Sequence, residues 1–242
     1  MFFLLFAIVS SASATPKDTV IIRTIEHLGD RYTIVSVRLG ADVDIQLHGG
    51  RSGGLTFRDA ITASKHNGRQ TIALMNGGMY DQDHRPVGLF IRNGEERHAI
   101  NLHDGDGNFY MKPNGVFWID TKRVAHVTMS KLFPTDRSAI TLATQSGPML
   151  LVDHIINSEF RPDSPNKLRR NGVGVSANGK IVHFVISVGN VRFHDLATLF
   201  RDKLTCRHAL FLDAVVSKLW TSGNIPMDQY GAVIAVTHKA AP

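Results

Sequence analysis

The sequence predicts a mixed α/β fold with largely antiparallel sheets, helices packed on the sheets, and at least one parallel strand–helix–strand crossover. Residues 32–39 and 42–47 alternate between polar and apolar side chains, which is typical of half-buried strands, and a turn at Gly40-Ala41 would join them into a hairpin. Residues 71–75 and 209–212 are short continuous apolar runs, as expected for strands that are covered on both faces. A helical pattern precedes each run, and a strand pattern over residues 180–188 precedes the second helix. Strand, helix and strand in this order predict a right-handed parallel crossover.

Length and composition favour one large domain that covers residues 15–242. The chain has 242 residues, of which 43% are hydrophobic, and this is enough for a sizeable core. Its only cysteine is Cys206, so no disulfide can form within the chain. The net charge of +6 favours anionic partners, but no run of Lys and Arg is longer than two, and aromatic residues are not interleaved with them. We therefore expect no nucleic-acid partner.

The N-terminus has the pattern of a secretory signal peptide. Residues 1–9 are apolar, and Ala12 and Ala14 form a small-residue cleavage pattern that predicts a signal peptide over residues 1–14. The apolar stretch is too short to span a membrane. We expect a periplasmic or secreted protein without stable membrane insertion. No Lys or Arg precedes the apolar stretch, which leaves two alternatives open, a fragment start and a buried N-terminal strand.

The first predicted helix and the strand after it lead to a glycine turn. Thr56 can cap a helix that runs to about His66, with apolar side chains on one face. The apolar run 71–75 then ends abruptly at Asn76-Gly77-Gly78. Ligands often bind beyond strand ends in sheets that carry helices, so this turn is a candidate site. The apolar run 209–212 likewise ends in Asp213, and the two strand ends would form one site if they lay side by side. The alternative is an ordinary turn, because Asn-Gly is a common turn pair.

The middle of the chain predicts further strands and no metal site. Residues 109–111 and 116–119 look like a hairpin around Lys112-Pro113-Asn114-Gly115. Residues 104–108 resemble the start of a calcium loop, but the sixth and twelfth positions lack the required Gly and Glu. We therefore predict neither a bound metal nor another cofactor.

The stretch 144–175 combines polar side chains with glycines. It opens on Gln145-Ser146-Gly147 and closes on Arg170-Asn171-Gly172. Glycine lets the backbone approach a ligand closely, and the planar fork of arginine suits a phosphate or a carboxylate. We interpret this stretch as much of an anion-binding active site. A turn followed by a strand is the alternative.

These residues include the groups that hydrolysis of a sugar–phosphate bond requires. Arg170 or Arg169 can hold the phosphate, and Ser146 with neighbouring backbone N–H groups can add hydrogen-bond donors. Asp213 can act as acid, base or nucleophile, and Asn76 can fix a sugar hydroxyl. Each also has an ordinary structural interpretation, such as a solvated arginine pair or an aspartate that caps a turn. Motifs of zinc proteases, P-loop proteins and α/β-hydrolases are absent from the sequence.

Several short motifs occur in unbroken order over roughly residues 30–238, and together they carry a family resemblance. They are Asn76-Gly77-Gly78-Met79-Tyr80, Pro86-Val87-Gly88-Leu89, Asn108-Phe109 with Lys112-Pro113-Asn114-Gly115-Val116-Phe117, Ala143-Thr144-Gln145-Ser146-Gly147-Pro148-Met149-Leu150, Arg170-Asn171-Gly172-Val173-Gly174, Phe193-His194-Asp195 with Phe200-Arg201-Asp202, and Leu210-Phe211-Leu212-Asp213. Each motif alone is weak, but the ordered set is specific. On these motifs the chain resembles the phosphodiester glycosidase family, which includes the mannose-6-phosphate "uncovering enzyme", and in particular its short bacterial exported members.

The resemblance implies a mixed α/β fold and hydrolysis of a phosphodiester joined to the anomeric carbon of a sugar such as N-acetylglucosamine. Carried over position by position, it implies four catalytic residues, which are Asn76, Ser146, Arg170 and Asp213. The substrate-binding residues that it implies are Gly77, Gly78, Gln145, Gly147 and Asn171, together with Lys112 and Asn114 from a motif of the bacterial group that has no assigned role.

One position departs from the family pattern. The family usually follows the aspartate with glycine, whereas here Asp213 is followed by Ala214, Val215 and Val216. If that position requires a positive φ, alanine costs about 1 kcal/mol or more and shifts Asp213. The sequence thus leaves three hypotheses: an exported hydrolase of sugar phosphodiesters in envelope or exopolysaccharide material, a non-catalytic relative that binds such anionic glycans, and a structural envelope protein without a pocket.

Overall fold

The computed structural model describes residues 19–213 and 216–240. The predicted signal peptide, residues 1–14, and the unusual Ala214 both lie outside the described residues. Within the described ranges, no helix is long and apolar enough to cross a membrane.

The described residues form sixteen β-strands and two α-helices. The strands are β1 (Val20–His27), β2 (Asp30–Arg38), β3 (Val43–Gly49), β4 (Arg69–Asn76), β5 (Phe90–Arg92), β6 (Glu95–His98), β7 (Gly115–Asp120), β8 (Ala125–Met129), β9 (Ile140–Ser146), β10 (Met149–Val152), β11 (Ile155–Ile156), β12 (Asn171–Val175), β13 (Ile181–Ser187), β14 (His208–Phe211), β15 (Leu219–Trp220) and β16 (Ala232–Lys239). The helices are α1 (Phe57–His66) and α2 (Phe193–Thr198), and a π-helical turn over Leu199–Lys203 continues α2.

The strands form three sheets. The first has seven strands in the order β1-β2-β13-β12-β14-β10-β11, the second has four in the order β15-β4-β16-β3, and the third has five in the order β6-β5-β9-β7-β8. Every pairing between these strands is antiparallel. The described chain is therefore a sheet-dominated, antiparallel fold.

The predicted α/β class with a parallel crossover is wrong. β13, α2 and β14 follow one another in the chain as predicted, and β13 and β14 run in the same direction. They do not pair, because β12 lies between them and is antiparallel to both. The unit β3-α1-β4 is separated in the same way by β16. Local patterns indicated the order of strands along the chain, whereas the separating strands come from distant sequence.

Two predicted hairpins are also wrong. β2 and β3 belong to different sheets, so the turn at Gly40 joins two sheets rather than two paired strands. Asn108–Tyr110 forms a 3-10 turn instead of a strand, and β7 pairs with β8 and β9. The alternation of polar and apolar side chains indicates which face of a strand is buried, but it does not indicate which strand pairs with it.

The predicted start of the first helix is confirmed in detail. The Asp59 N–H donates to Oγ1 of Thr56 at 3.2 Å, and the Thr56 N–H donates to Oδ2 of Asp59 at 2.8 Å. This reciprocal pair is a capping box, which satisfies two backbone donors that a helix start leaves without intrahelical partners. Phe57 and Ala60 of α1 then pack with Leu74 of β4.

The main core lies between the three sheets, and a second core lies between the seven-stranded sheet and α2. Val35, Ile45 and Phe117 are buried together in the first core, one from each sheet. Leu196 and Phe211 are buried in the second. Alternate residues of one strand therefore face different cores, and this decides on which side of the sheet each site residue lies.

Candidate active site

Asn76 and Asn171 join the ends of two strands from different sheets. Asn76 is the last residue of β4, and Asn171 is the first residue of β12. The Oδ1 atom of Asn76 accepts a hydrogen bond from Nδ2 of Asn171 at 2.7 Å and another from the Lys218 N–H at 2.9 Å. The Asp213 N–H donates to Oδ1 of Asn171 at 2.9 Å. The structure thus connects the two strand ends that the sequence suggested, and Asn171 is the link.

Ser146 ties a third strand end to the same place. It is the last residue of β9, it is fully buried, and its Oγ donates to the carbonyl of Leu212 at 2.7 Å. Ser217 adds a contact from the other direction, because its Oγ donates to the carbonyl of Asp213. Side chains of β4, β9 and β12 therefore bind the backbone of Lys218, Leu212 and Asp213 respectively.

The glycine turn after Asn76 is needed for close packing. Gly77 donates its N–H to the carbonyl of Ala232 at 2.8 Å. A Cβ atom at Gly78 would overlap the carbonyl oxygen of Gln145 and lie 2.6 Å from Oγ1 of Thr144. Only glycine permits this approach, which brings the end of β4 against β9.

The motif of the bacterial group supports the turn after Ser146. A Cβ atom at Gly147 would lie 2.7 Å from the carbonyl oxygen of Phe109 and 2.8 Å from Cβ of Asn114. The Asn114 Nδ2 donates to the same Phe109 carbonyl at 3.0 Å, and Nζ of Lys112 donates to the carbonyl of His103 at 2.8 Å. The buried Asn114 therefore shapes the wall behind Gly147, whereas Lys112 remains partly exposed.

Gln145 has its hydrogen-bonding groups occupied by the protein. Its Oε1 accepts from the N–H groups of Leu89 and Asn101, both at 2.9 Å. Its Nε2 donates to the carbonyl of Asn101 at 2.6 Å and to Oγ of Ser130 at 3.0 Å. Because the side chain is also buried, the geometry supports a bracing role for Gln145 more than contact with a substrate.

Arg170 lies at the same end of the seven-stranded sheet as Asp213. β12 pairs with β14 through Gly172 and Phe211, and the Leu212 N–H donates to the Asn171 carbonyl at 3.4 Å. Continuing this register places Arg170 opposite Asp213. The two residues that the proposed chemistry needs together are therefore neighbours along one strand pair.

The guanidinium of Arg170 is buried in an aromatic stack. Its Cζ lies 3.6 Å from the ring centroid of Phe193, and only 1% of the residue is exposed. Nε donates to the carbonyl of Val191 at 3.0 Å, and Nη2 donates to Oδ1 of Asn166 at 2.7 Å. Nη1 has no hydrogen-bond partner among the described residues. Burial lowers the pKa of Arg170 to about 10, so the group remains a cation at neutral pH. One nitrogen, rather than a two-pronged fork, is left for an anion.

Tyr80, Lys218 and Asp228 are further polar groups of this region that the sequence did not assign to the site. Burial and, to a smaller extent, the carboxylates of Asp213 and Asp228 raise the pKa of Tyr80 to about 12. Nζ of Lys218 lies 3.6 Å from Oδ2 of Asp228. Tyr80 falls within a motif that the sequence offered, but nothing in the sequence singled out Lys218 or Asp228.

Of two cavities in the described structure, one lies away from the predicted site and the other adjoins it. One, of about 570 Å³, lies between β3, β7 and β9 and is lined by none of the predicted site residues. A cavity of about 310 Å³ adjoins the site instead, since it borders the residues that pack behind Gly147. Its lining is Lys112, Pro113, Asn114, Met129 and Lys131.

The described part of the chain offers no ready-made metal centre. Within residues 19–213 and 216–240, no group of three or more His, Cys, Asp or Glu side chains is placed to hold a metal ion. The candidate site is built from amides, hydroxyls, carboxylates and one buried guanidinium. Such a set can bind and orient a polar, anionic ligand and exchange a proton with it.

Comparisons with known proteins point to one family. The sequence model of the phosphodiester glycosidase (NAGPA) family matches residues 69–234. Uncharacterized protein YigE of Escherichia coli (strain K12) is 36% identical over 179 residues, which are 74% of this chain and 69% of that protein. The catalytic domain of zebrafish N-acetylglucosamine-1-phosphodiester alpha-N-acetylglucosaminidase, auto-inhibited by its pro-peptide, shares the fold with a TM-score of 0.61 at 14% identity, over 90% of this chain and 81% of that one. The chain belongs to the phosphodiester glycosidase family.

Proposed function

We propose that this protein is an exported hydrolase that cleaves a phosphodiester at the anomeric carbon of a sugar of the N-acetylglucosamine type, in envelope or exopolysaccharide material. The observation that carries the proposal is that three strand ends meet beside Asp213. Asn171 accepts from the Asp213 N–H, Asn76 accepts from Asn171, and Ser146 donates to the carbonyl of the preceding Leu212. Family membership supports the reaction class. The zebrafish relative is named for a substrate of this type. The case for export rests on the apolar residues 1–9 and the cleavage pattern that follows them.

The proposed reaction breaks the bond between the anomeric carbon and the phosphate oxygen. The phosphate leaves with the electron pair of that bond, and a water oxygen becomes bonded to the carbon. Asp213 takes the proton of the attacking water, or first forms a glycosyl ester that water then hydrolyses. The cation of Arg170 stabilises the charge that develops on the leaving phosphate, and its burial strengthens this effect because protein screens charge less than water does.

Release of the sugar from an N-acetylglucosamine-1-phosphodiester tests the proposal. Asp213→Asn should reduce kcat by about 100- to 10,000-fold, as expected when a catalytic acid–base group is lost. Asp163→Asn is the matched control, because that carboxylate is exposed and pairs only with Arg161 at the surface. Equal turnover by the wild type and Asp213→Asn would exclude the assigned role.

The second candidate function is non-catalytic binding of anionic glycans. It is motivated by Ala214, which stands where the family resemblance described above implies a glycine. Saturable binding of a sugar phosphodiester by the wild type, without any turnover, would decide for this function. The third hypothesis, a structural envelope protein, requires scattered site residues, and the contacts between Asn76, Asn171 and Asp213 argue against it.

A further inference from the structure

A groove follows the free edge of β8, the last strand of the five-stranded sheet. Three cavities of about 310, 250 and 280 Å³ lie along this edge. The first and second share Met129, and the second and third share Val127, Thr128, Arg207 and His208, so the three are continuous. We propose that this groove, which we call the β8 groove, binds an extended anionic glycan whose sugars are joined by phosphodiesters. The cleavage of that glycan rests on the proposed function, whereas its binding in the groove does not require turnover.

One end of the β8 groove adjoins the candidate site. The first cavity is lined by Asn114, whose Cβ would lie 2.8 Å from a Cβ atom at Gly147. Gly147 follows Ser146, and Oγ of Ser146 is bonded to the carbonyl of the residue before Asp213. The groove therefore begins at the residues that pack around Ser146. It is in position to hold the part of a polymer that extends beyond the bond to be cleaved.

The side chains that line the β8 groove carry a net positive charge. Lys112, Lys131 and Arg207 are cations. Among the described residues that line the three cavities, Asp153 is the one carboxylate, and it pairs with Arg207 at 2.6 Å. Nζ of Lys112 lies 3.8 Å from a carboxylate oxygen of the exposed Asp104. Water and salt screen pairs at such exposed positions, so the cations still attract an anionic chain.

The edge of β8 adds backbone groups to this lining. The Ala125 N–H donates to the carbonyl of Gly179 at 2.8 Å, on the side of β8 that faces away from β7. Alternate residues of an antiparallel strand direct their N–H and C=O groups to the same side, so those of Val127 and Met129 also face away from β7. Both residues line the cavities. Backbone N–H groups bind phosphate oxygens, and carbonyls accept hydrogen bonds from sugar hydroxyls.

Uncharged polar side chains lie between the cations. Thr128, Ser176 and Asn178 line the third cavity together with His208. Burial lowers the pKa of His208, so this ring is neutral at neutral pH and can bond to a hydroxyl. A lining that mixes hydroxyl, amide and imidazole groups with cations favours a glycan over an acidic peptide.

The length of the groove favours a polymer over a single sugar phosphate. β8 has five residues, Ala125–Met129, which span about 14 Å in an extended strand. One sugar ring with its phosphate is shorter than this distance. Several repeats can therefore contact the groove at once, and each added contact strengthens binding without any change at the candidate site.

Binding of labelled oligomers of N-acetylglucosamine joined by 1-phosphodiesters tests the proposal on the full chain. Asp213→Asn serves for this measurement, so that the oligomers remain intact. The oligomer of four repeats should bind at least about tenfold more tightly than that of one repeat. This advantage should shrink between about 50 and 500 mM salt, because salt screens the charges. A neutral N-acetylglucosamine oligomer of the same length should bind at least about tenfold more weakly.

Reversal of two charges then locates the bound chain. Lys131→Glu combined with Arg207→Glu should weaken binding of the four-repeat oligomer at least about tenfold, but that of one repeat less than about twofold. Arg58→Glu combined with Lys65→Glu is the matched control, because it changes the net charge equally at exposed positions of α1 that line none of the three cavities. If the first double variant fails to fold, Lys131→Gln alone should still weaken binding about threefold.

The outcomes separate the groove from the reaction. Affinity that does not depend on oligomer length, or equal losses in both double variants, would overturn the proposal. Equal binding of a glutamate oligomer of the same charge would show that the groove takes acidic peptides and would also overturn it. Cleavage of the one-repeat substrate by the wild type without any effect of length would refute the groove alone. Length-dependent binding without turnover by the wild type would refute the proposed function and leave the groove standing.

Discussion

Replacing Gly78 by alanine tests the contact that brings β4 against β9. The added Cβ would overlap the carbonyl oxygen of Gln145 and lie 2.6 Å from Oγ1 of Thr144. Because one of these neighbours is backbone, the strands must move apart to relieve the overlap. Overpacking of this kind costs about 1–3 kcal/mol, which corresponds to about 2–12 °C in melting temperature for a domain of this size. Asn76 lies two residues earlier, so the same movement should also reduce turnover.

Thermal unfolding followed by circular dichroism, together with hydrolysis of the sugar phosphodiester, measures both effects. Gly40→Ala is the matched control, because its Cβ would meet nothing within 4 Å and its φ is not positive. The control should melt with the wild type. The close-packing argument is refuted if Gly78→Ala melts within about 1 °C of the wild type and turns over equally well.

Two further predictions concern charge inside the protein. Burial, with smaller contributions from nearby arginines, lowers the pKa of His48 and His183 from 6.5 to about 4. Between about pH 6.5 and pH 4 the unfolded chain therefore binds protons that the folded chain does not, and the free energy of unfolding falls as the pH drops, by on the order of 3 kcal/mol per histidine at most. Urea unfolding at pH 7 and pH 4.5 should show this loss, and a loss of equal size in His183→Gln would contradict it. Arg170→Met keeps the buried volume but removes the cation. The free energy of unfolding should therefore change by no more than about 2 kcal/mol, while kcat/KM should fall at least about tenfold. Full activity of this variant would exclude an electrostatic role for Arg170.

Local patterns in the sequence predicted elements well and their pairing poorly. The capped helix α1 and the buried strands β4, β13 and β14 follow from periodicity and apolar runs that are visible within short windows. The position of β12 between β13 and β14 does not, because Gly172 and Gly174 hide its strand character. A Cβ at Gly174 would lie 2.7 Å from Cδ1 of Phe200, so these glycines allow the helical segment to pack closely on the sheet. The need for glycine at these positions depends on Phe200, which is distant in sequence.

For the site, the sequence predicted which strand ends lie together better than it predicted the role of each residue. Asn76 and Asp213 were suggested because each follows a buried apolar strand, and the structure connects both through Asn171. Gln145 and Asn114 lie in the same motifs, but their amides bond to protein groups that packing alone reveals. A motif indicates that a residue type is required at a position. Only the contacts in the folded chain distinguish a residue that braces the site from one that binds the substrate.

Arg170 shows what this distinction means for binding an anion. From sequence, its planar fork suggested a two-pronged contact with phosphate, but Nε and Nη2 are already bonded to Val191 and Asn166. The stacked ring of Phe193 and complete burial hold the cation in one position and shield it from water. A fixed charge in a poorly screened environment attracts a phosphate without a bidentate contact. The site therefore combines the fixed positive charge of Arg170 with Asp213, whose backbone N–H is bonded to the buried Asn171. In such an arrangement rigidity, rather than the number of substrate contacts, supplies the orientation that hydrolysis needs.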